Sequence, residues 1–211
     1  MGIQERKARE KKQRRKDIID AAERVFFSKG FNSSTIDDIA AEAELSKGTL
    51  YLYFKSKGEL CISIVLRGLK IVHSMFEEVF NKDVRAIDKI GMLGDTYLYF
   101  HDRYKDYSEV LINYRNRREM CDDSSKSLRE TIEENEKINN VLIKIIESGI
   151  EDGSIRKDVA PIRTSYAIWG ALSGLLPSLM LSDNKIEQFL KFQNRETLKY
   201  IFGLLQDALR A

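Results

Sequence analysis

The chain has 211 residues, 43% of them apolar and 32% charged, with 35 Lys and Arg side chains against 33 Asp and Glu. Two cysteines and the lack of an apolar stretch at the start argue against a disulfide-stapled secreted domain and favour a reducing cytoplasm. Only two residues are proline, both beyond residue 160, so an all-α fold of one or two domains is predicted.

Positive charge is concentrated at the beginning of the sequence. Residues 1–16 hold eight basic side chains and two acidic ones, whereas residues 61–211 are close to neutral. Such a basic extension can neutralise phosphates of a nucleic acid, but it can also be a solvated tail or a segment that binds a membrane surface. The charge alone leaves these three interpretations open.

The first two helices are marked by their ends. Apolar residues from Ile18 onward recur at the spacing of one helix face, which predicts a first helix over about 5–29. Gly30 suits the left-handed position that ends helices, and Phe31 supplies the apolar residue that packs back onto such an end. Thr35, with Asp38 three residues later, predicts an N-cap and a short second helix.

A third short helix and a long fourth one follow. Leu45 is an apolar residue between the short helices, and Ser46 is the predicted N-cap of a third helix from Lys47 to about Phe54. Ser56 and Glu59 have the spacing of a capping box ahead of an apolar series that continues to Phe80. Further helices are predicted at about 84–105, 108–121, 125–151, 161–181 and 186–209, which form a helical bundle.

Residues 164–182 contain no charged side chain and include Gly170 and Gly174 at the spacing of a close-packing motif. The segment has almost the length of a membrane span, but its serines, Thr164 and Pro177 lower its apolarity. A helix that is apolar all round is also typical of one buried between its own bundle and a second subunit. A homodimer through the last two helices is therefore predicted, with no membrane partner.

Two short helices joined by a tight turn have the arrangement of a helix-turn-helix, whose second helix enters the DNA major groove. Leu50 and Phe54 hold the inner face of that helix. The other positions offer a cation, hydroxyls, aromatic faces and a site without a side chain; the predicted DNA-binding set is Thr35, Lys47, Gly48, Thr49, Tyr51, Tyr53 and Lys57. The same residues also suit plain roles, as helix caps for Thr35, as packing residues for the tyrosines, and as a poor helix former for Gly48.

The segment Ile18–Leu60, and above all SKGTLYLYFKSKGEL from Ser46 to Leu60, closely resembles the DNA-binding head of the TetR (tetracycline-repressor-like) family. The resemblance implies an all-α homodimer in which a three-helix head, residues 1–56, is joined by helix 4 to a ligand-binding and dimerising bundle, residues 57–211. It also implies a palindromic DNA operator, and the seven residues named above fall where family members contact DNA. At Asp37 the sequence departs from the basic or polar residue that some members use for reading bases.

A ligand-released repressor is the predicted function, with an unknown small apolar or amphipathic effector. The candidate effector contacts in the bundle are Met75, Phe76, Met92, Tyr97, Phe100, Tyr104, Tyr114 and Trp169, although residues at this spacing are also ordinary core. His73 and His101 are isolated in the sequence, so neither a metal nor a cofactor is expected. The sequence lacks nucleotide-binding and hydrolase motifs, so an enzyme is not predicted. The alternative is a membrane-associated or structural protein that uses the basic extension and residues 164–182.

Overall fold

The structure, a computed structural model, describes residues 2–115, 126–180 and 194–211 of the chain. Within these ranges it is helical throughout, apart from turns and one isolated antiparallel bridge between Ile155 and Arg210. The helices are α1 (Ile3–Ser33), α2 (Ile36–Glu42), α3 (Lys47–Tyr51), α4 (Lys57–Phe80), α5 (Ala86–Arg103), α6 (Lys105–Arg115), α7 (Lys126–Glu151), α8 (Pro161–Met180) and α9 (Asn194–Leu209).

The predicted order of helices is confirmed, with differences at their ends. Gly30 has a positive φ of 75°, but its ψ of 158° is extended, so it is not left-handed helical and α1 resumes for three residues after this break. Phe31 packs back on Phe26 in an edge-to-face contact, as predicted. The recognition segment α3 ends at Tyr51, three residues before the predicted end. The predicted boundaries at 121, 125, 181 and 186 lie outside the described residues.

The described residues form two compact units. The head unit is drawn from Met1–Gly68 and Asp106–Ile132, and the body unit from Leu69–Lys105 and Glu133–Ala211. The head unit therefore includes the whole predicted head together with the start of α4, nearly all of α6 and the start of α7.

The core of the head unit comes from one apolar face of each helix. Ile18, Ala22 and Phe26 of α1 are buried. Ile39 of α2 and Leu50 of α3 are also part of this core, and neither retains any exposed surface. The burial of these residues stabilises the short helices α2 and α3, which are too short to be stable in isolation.

A polar network joins α1, α4 and α6 within the head unit. The guanidinium of Arg67 donates to Asp20 and Glu23, and the Tyr107 hydroxyl donates to the second Glu23 oxygen at 2.7 Å. Burial lowers the pKa of Arg67, but these two carboxylates outweigh it, so the pKa rises overall. Burial and the hydrogen bond to Glu23 also raise the pKa of Tyr107, so the phenol stays protonated.

In the body unit α5 and α9 approach closely. Gly94 of α5 lies against the ring of Phe202, where an added Cβ would come within 2.5 Å of ring carbons. Gln206 of α9 donates a hydrogen bond to the Ile87 carbonyl at 2.9 Å. Among the residues that the structure describes, no helix has the length and apolarity needed to span a bilayer, and no cluster of three His, Cys, Asp or Glu side chains could hold a metal ion.

Candidate functional site

The start of α2 is fixed by a capping box, as the sequence predicts. The Thr35 hydroxyl accepts from the Asp38 amide at 3.0 Å, and the Asp38 carboxylate accepts from the Thr35 amide at 2.8 Å. Asp38 also pairs with Lys29 of α1 at 2.7 Å. Hydrogen bonds from Lys29 first, and then from Thr35, lower the pKa of Asp38 to about 2. The cap therefore keeps its charge in the physiological range and ties α2 to α1.

The turn into α3 is equally defined. Glu44 has a positive φ of 54°, Leu45 is half-buried, and the Ser46 hydroxyl accepts from the Thr49 amide at 3.1 Å. The Ser46 and Thr49 hydroxyls are also 2.8 Å apart and share a hydrogen bond. These contacts confirm Ser46 as the N-cap and give the Thr49 side chain an intramolecular partner.

One side of the recognition segment is buried and the other is open. Leu50 and Phe54 are completely buried and Tyr53 is half-buried, whereas 46% of Tyr51 and 78% of Leu52 are exposed. Gly48 is exposed, and an added Cβ there would meet only the Ser46 hydroxyl, at 3.8 Å. Apolar and aromatic groups in this position can contact base edges, including the methyl group of thymine.

The cation of the recognition segment is paired with an acidic residue of α2. The Lys47 ammonium lies 3.0 Å from the Asp37 carboxylate, and both side chains are largely exposed. The hydrogen bond from Lys47 to Asp37 raises the pKa of Lys47. Lys47 is therefore fully charged at neutral pH, and Asp37 partly offsets its charge on the surface that α3 exposes.

Lys57 has a structural role that the sequence did not indicate. Its ammonium donates to the carbonyls of Phe31 and Ser34, each at 2.8 Å, and lies 4.3 Å from the centre of the Phe31 ring. Two of its three protons therefore satisfy carbonyls at the end of α1. The phosphate contact predicted for Lys57 stays a prediction, and only one of its N–H groups is left to make that contact.

Two functional candidates escaped the sequence reasoning. The sequence pattern gives no reason to select Leu52, whose side chain lies next to Tyr51 in the chain and is exposed. Arg15 was grouped with the other basic residues, yet its guanidinium lies 4.5 Å from the centre of the Phe54 ring and donates to Ser127 at 2.8 Å. The sequence carries no local signal for a contact between residues so far apart in the chain.

Most of the predicted effector contacts form one aromatic cluster in the body unit. Tyr97 is at its centre, 5.9 Å from Trp169 and 6.4 Å from Phe76 between ring centroids. Phe100 stacks on both Tyr97 and Tyr104. Phe76 and Phe100 have no exposed surface, so they contribute packing as well as any ligand contact. Met75 and Met92 are half-buried.

His101 adds a neutral polar group to this cluster. Its ring lies 4.7 Å from that of Tyr97 and is almost completely buried. Burial lowers the pKa of His101 to about 4, although neighbouring Asp102 acts in the opposite direction. The imidazole is therefore uncharged at neutral pH.

Tyr114 does not join the aromatic cluster. It belongs to the head unit and lines a crevice there with Phe26 and Phe27 of α1, Cys61 of α4 and Val110 of α6. The other seven predicted effector residues lie in the body unit.

Known proteins share both the all-α fold and the sequence of the region that contains α3. The family model described as bacterial regulatory proteins, tetR family, matches residues 18–64. The chain is 26% identical over 180 residues to a fatty acid metabolism regulator protein of Bacillus subtilis (strain 168), covering 85% of this chain and 90% of that protein. It is 23% identical over 147 residues to the transcriptional repressor KstR2 of Mycolicibacterium smegmatis, covering 69% of each.

The same fold occurs in the crystal structure of the transcriptional regulator FadR from Bacillus subtilis in complex with stearoyl-CoA. The TM-score is 0.66 at 21% sequence identity, covering 92% of this chain and 98% of that chain. These relatives are transcriptional regulators, which agrees with the expectation that the chain is not an enzyme.

Proposed function

This chain belongs to the TetR family of bacterial transcriptional regulators, and from that premise we propose that it is a repressor that a small amphipathic effector releases from its operator. The observation that carries the proposal is the exposed side of α3 and its C-cap, where Lys47, Tyr51 and Leu52 are exposed on a helix that is capped by Ser46 and held in the core by Leu50. A helix presented in this way is suited to insertion into a major groove. The protein is proposed to act in the cytoplasm, where a bacterial chromosome is accessible to it.

The DNA contact is tested with a double variant, Lys47→Ala with Tyr51→Ala. Each base-edge or phosphate contact contributes about 1–3 kcal/mol, so the affinity for a duplex selected by the parent chain should fall at least ~30-fold. Tyr99→Ala is a matched control, because Tyr99 is a similarly exposed tyrosine in the body unit. Equal affinity of the double variant and the parent, with unchanged helical content, would refute the assignment of α3.

We also propose that α8 and α9 form the dimer interface. Ile162 and Tyr166 of α8 are 62% and 59% exposed, and Gly170 and Gly174 follow at the same four-residue spacing on that face. α9 contacts α8 and exposes Tyr200 and Leu204, which are 68% and 51% exposed. Exposed apolar side chains on two contacting helices, together with glycines where an added Cβ meets no atom within 4 Å, support close packing against a second copy.

Replacement of both α8 glycines by leucine tests the interface. An added Cβ at either position meets no atom within 4 Å, so neither substitution begins with a clash inside the single chain. Sedimentation analysis should show a weakened dimer with the parent's helical content. A dimer of unchanged affinity would remove α8 from the interface. Because a twofold-symmetric dimer presents two equal recognition helices, the proposed operator is palindromic.

The proposed effector carries a long apolar chain. The aromatic cluster of the body unit and the neutral state of His101 favour an apolar group over a charged one. The likeness to a fatty acid metabolism regulator and to a regulator bound to stearoyl-CoA supports an acyl chain. An effector that weakens DNA affinity 100-fold must bind the DNA-incompetent form about 2.7 kcal/mol more tightly than the competent form.

The effector is tested by titrating the complex of protein and selected duplex with stearoyl-CoA and, as a control, with coenzyme A. Release by the acylated compound alone is expected, since the apolar chain supplies the binding energy. If neither compound changes the DNA affinity, the acyl-chain proposal is wrong, whereas the assignment of α3 is unaffected.

A further inference from the structure

The basic segment at the start of α1 is a continuous helical arm. Residues 3–16, the cationic arm, continue the helix of the head unit without a break, since the first non-helical backbone position in α1 is Gly30. The arm begins at a capped end, where the Gly2 amide donates to the Glu5 carboxylate at 3.0 Å. Apart from half-buried Arg15, all of its side chains are exposed. At 1.5 Å per residue it is about 20 Å long.

Acidic groups neutralise little of the positive charge of the cationic arm. Glu5 accepts from the Gly2 amide, and Glu10 pairs with Arg6 at 2.8 Å. Within the described part of the chain, six further basic side chains of the arm are exposed and make no ion pair: Lys7, Arg9, Lys11, Lys12, Arg14 and Lys16. They span about 14 Å of helix, over which a DNA duplex presents roughly eight phosphates.

These six cations lie on two nearly opposite sides of the helix. Helical spacing places Lys7, Lys11 and Arg14 in one row, and four residues further along that row is the buried Ile18. The opposite row contains Arg9, Lys12 and Lys16. The row that is apolar inside the head unit therefore becomes cationic where it extends beyond the core, and we call it the inner row.

Arg15 fixes the arm to the recognition region. Its guanidinium lies over the ring of Phe54, the buried residue three positions after Tyr51, and donates to Ser127. The Ser127 hydroxyl in turn lies 2.9 Å from that of Ser63 in α4. The arm is thus joined through a cation–π contact and a partly buried hydrogen bond to the same compact unit that presents α3.

The composition of the arm favours a nucleic acid over a lipid surface. A helix that lies in a membrane interface needs an apolar face of large side chains. Within residues 3–16 the apolar side chains are Ile3, at the very start, and Ala8, and helical spacing places these two on different faces. A continuous helix of cations without an apolar face matches a polyanion whose charges have a comparable spacing.

We infer that the cationic arm is a second DNA-binding element, in which Lys7, Lys11 and Arg14 contact the phosphates beside the bases read by α3. This inference rests on the proposed DNA-binding function and adds to it a sequence-independent contribution to affinity. Three phosphate contacts per subunit, or six per dimer, correspond to a slope of about 5 in a plot of log affinity against log salt concentration.

The experiment compares two triple variants of the full chain that carry equal charge. The inner-row variant is Lys7→Gln, Lys11→Gln, Arg14→Gln, and its matched control is Arg9→Gln, Lys12→Gln, Lys16→Gln. Affinity is measured between low and moderate salt, for a duplex that the parent chain selects from a random pool and for an unselected duplex. The inner-row variant should lose about 5 from the slope on both duplexes, whereas the control should lose no more than about 1.

Each other outcome overturns the inference. Equal slopes for both variants would mean that the arm attracts DNA only through its overall charge, if both are lowered, or does not contribute, if both are unchanged. A loss of slope confined to the control would place the phosphate contacts on the row of Arg9, Lys12 and Lys16. Binding of the parent to phosphatidylserine vesicles, with DNA slopes unaffected in both variants, would identify a membrane-binding arm. If the parent selects no duplex at all, the proposed function fails as well, which distinguishes that failure from failure of the arm alone.

Discussion

A substitution at Lys57 distinguishes a structural role of this side chain from a role in DNA binding. The ammonium donates to two carbonyls at the end of α1 and lies against the Phe31 ring. Hydrogen bonds to a charged group contribute about 1.5–3 kcal/mol each and a cation–π contact roughly 0.5–1 kcal/mol. Because the side chain is only partly buried, we expect Lys57→Met to lower the free energy of unfolding by about 2–3 kcal/mol.

The assay is chemical denaturation followed by helical circular dichroism, with Lys55→Met as the control. Lys55 is exposed, two residues away, and among the described residues its one hydrogen bond is from its backbone amide to Glu59. We expect the control to stay within ~0.5 kcal/mol of the parent, as is usual for surface substitutions. If Lys57→Met were as stable as the parent but bound DNA more weakly, Lys57 would be a phosphate contact and the structural role would be refuted.

Three further outcomes are expected. Asp37→Asn removes the acidic partner of Lys47 and should strengthen binding to unselected DNA by roughly fivefold at low salt, measured by fluorescence anisotropy. Weaker binding would mean that the Asp37 carboxylate favours DNA binding instead of opposing it. Gly94→Ala should lower the free energy of unfolding by about 1–3 kcal/mol through overpacking. Gly203→Ala, where an added Cβ meets no atom within 4 Å, should raise it by up to ~1 kcal/mol. The reverse order of stability would contradict the close packing of α5 and α9. His101 binds its proton only near pH 4 when folded but near 6.5 when unfolded, so stability should fall by up to about 3 kcal/mol as the pH drops from 6.5 to 4. His101→Gln should remove that part of the pH dependence, and an unchanged profile would contradict the burial of a neutral imidazole.

The parts of the structure that sequence reasoning could predict are those determined within a few residues of the chain. The caps at Thr35 and Ser46 form hydrogen bonds three residues ahead, so spacing alone reveals them. The positive φ of Gly30 followed from its residue type, but its extended ψ depends on the path into α2 and was not predictable. For the same reason, helix order was better predicted than helix ends.

Contacts between residues that are distant in the chain could not be predicted from the sequence. Lys57 bonds carbonyls more than twenty positions away, and the choice between a phosphate and a carbonyl partner leaves no trace in the local pattern. The aromatic candidates illustrate the same limit, because helical spacing identifies inward residues but not which helices meet. It grouped Tyr114 with Tyr97, although the structure assigns them to different units.

The central claim is that a dimer presents two copies of α3 to successive major grooves of one duplex. Hydroxyl-radical footprinting of the parent on its selected duplex tests this directly. The account predicts two protected stretches whose centres are about 10 base pairs, or a multiple of one helical turn, apart, both lost in the variant Lys47→Ala, Tyr51→Ala. A single protected stretch, or protection that survives in that variant, would contradict it.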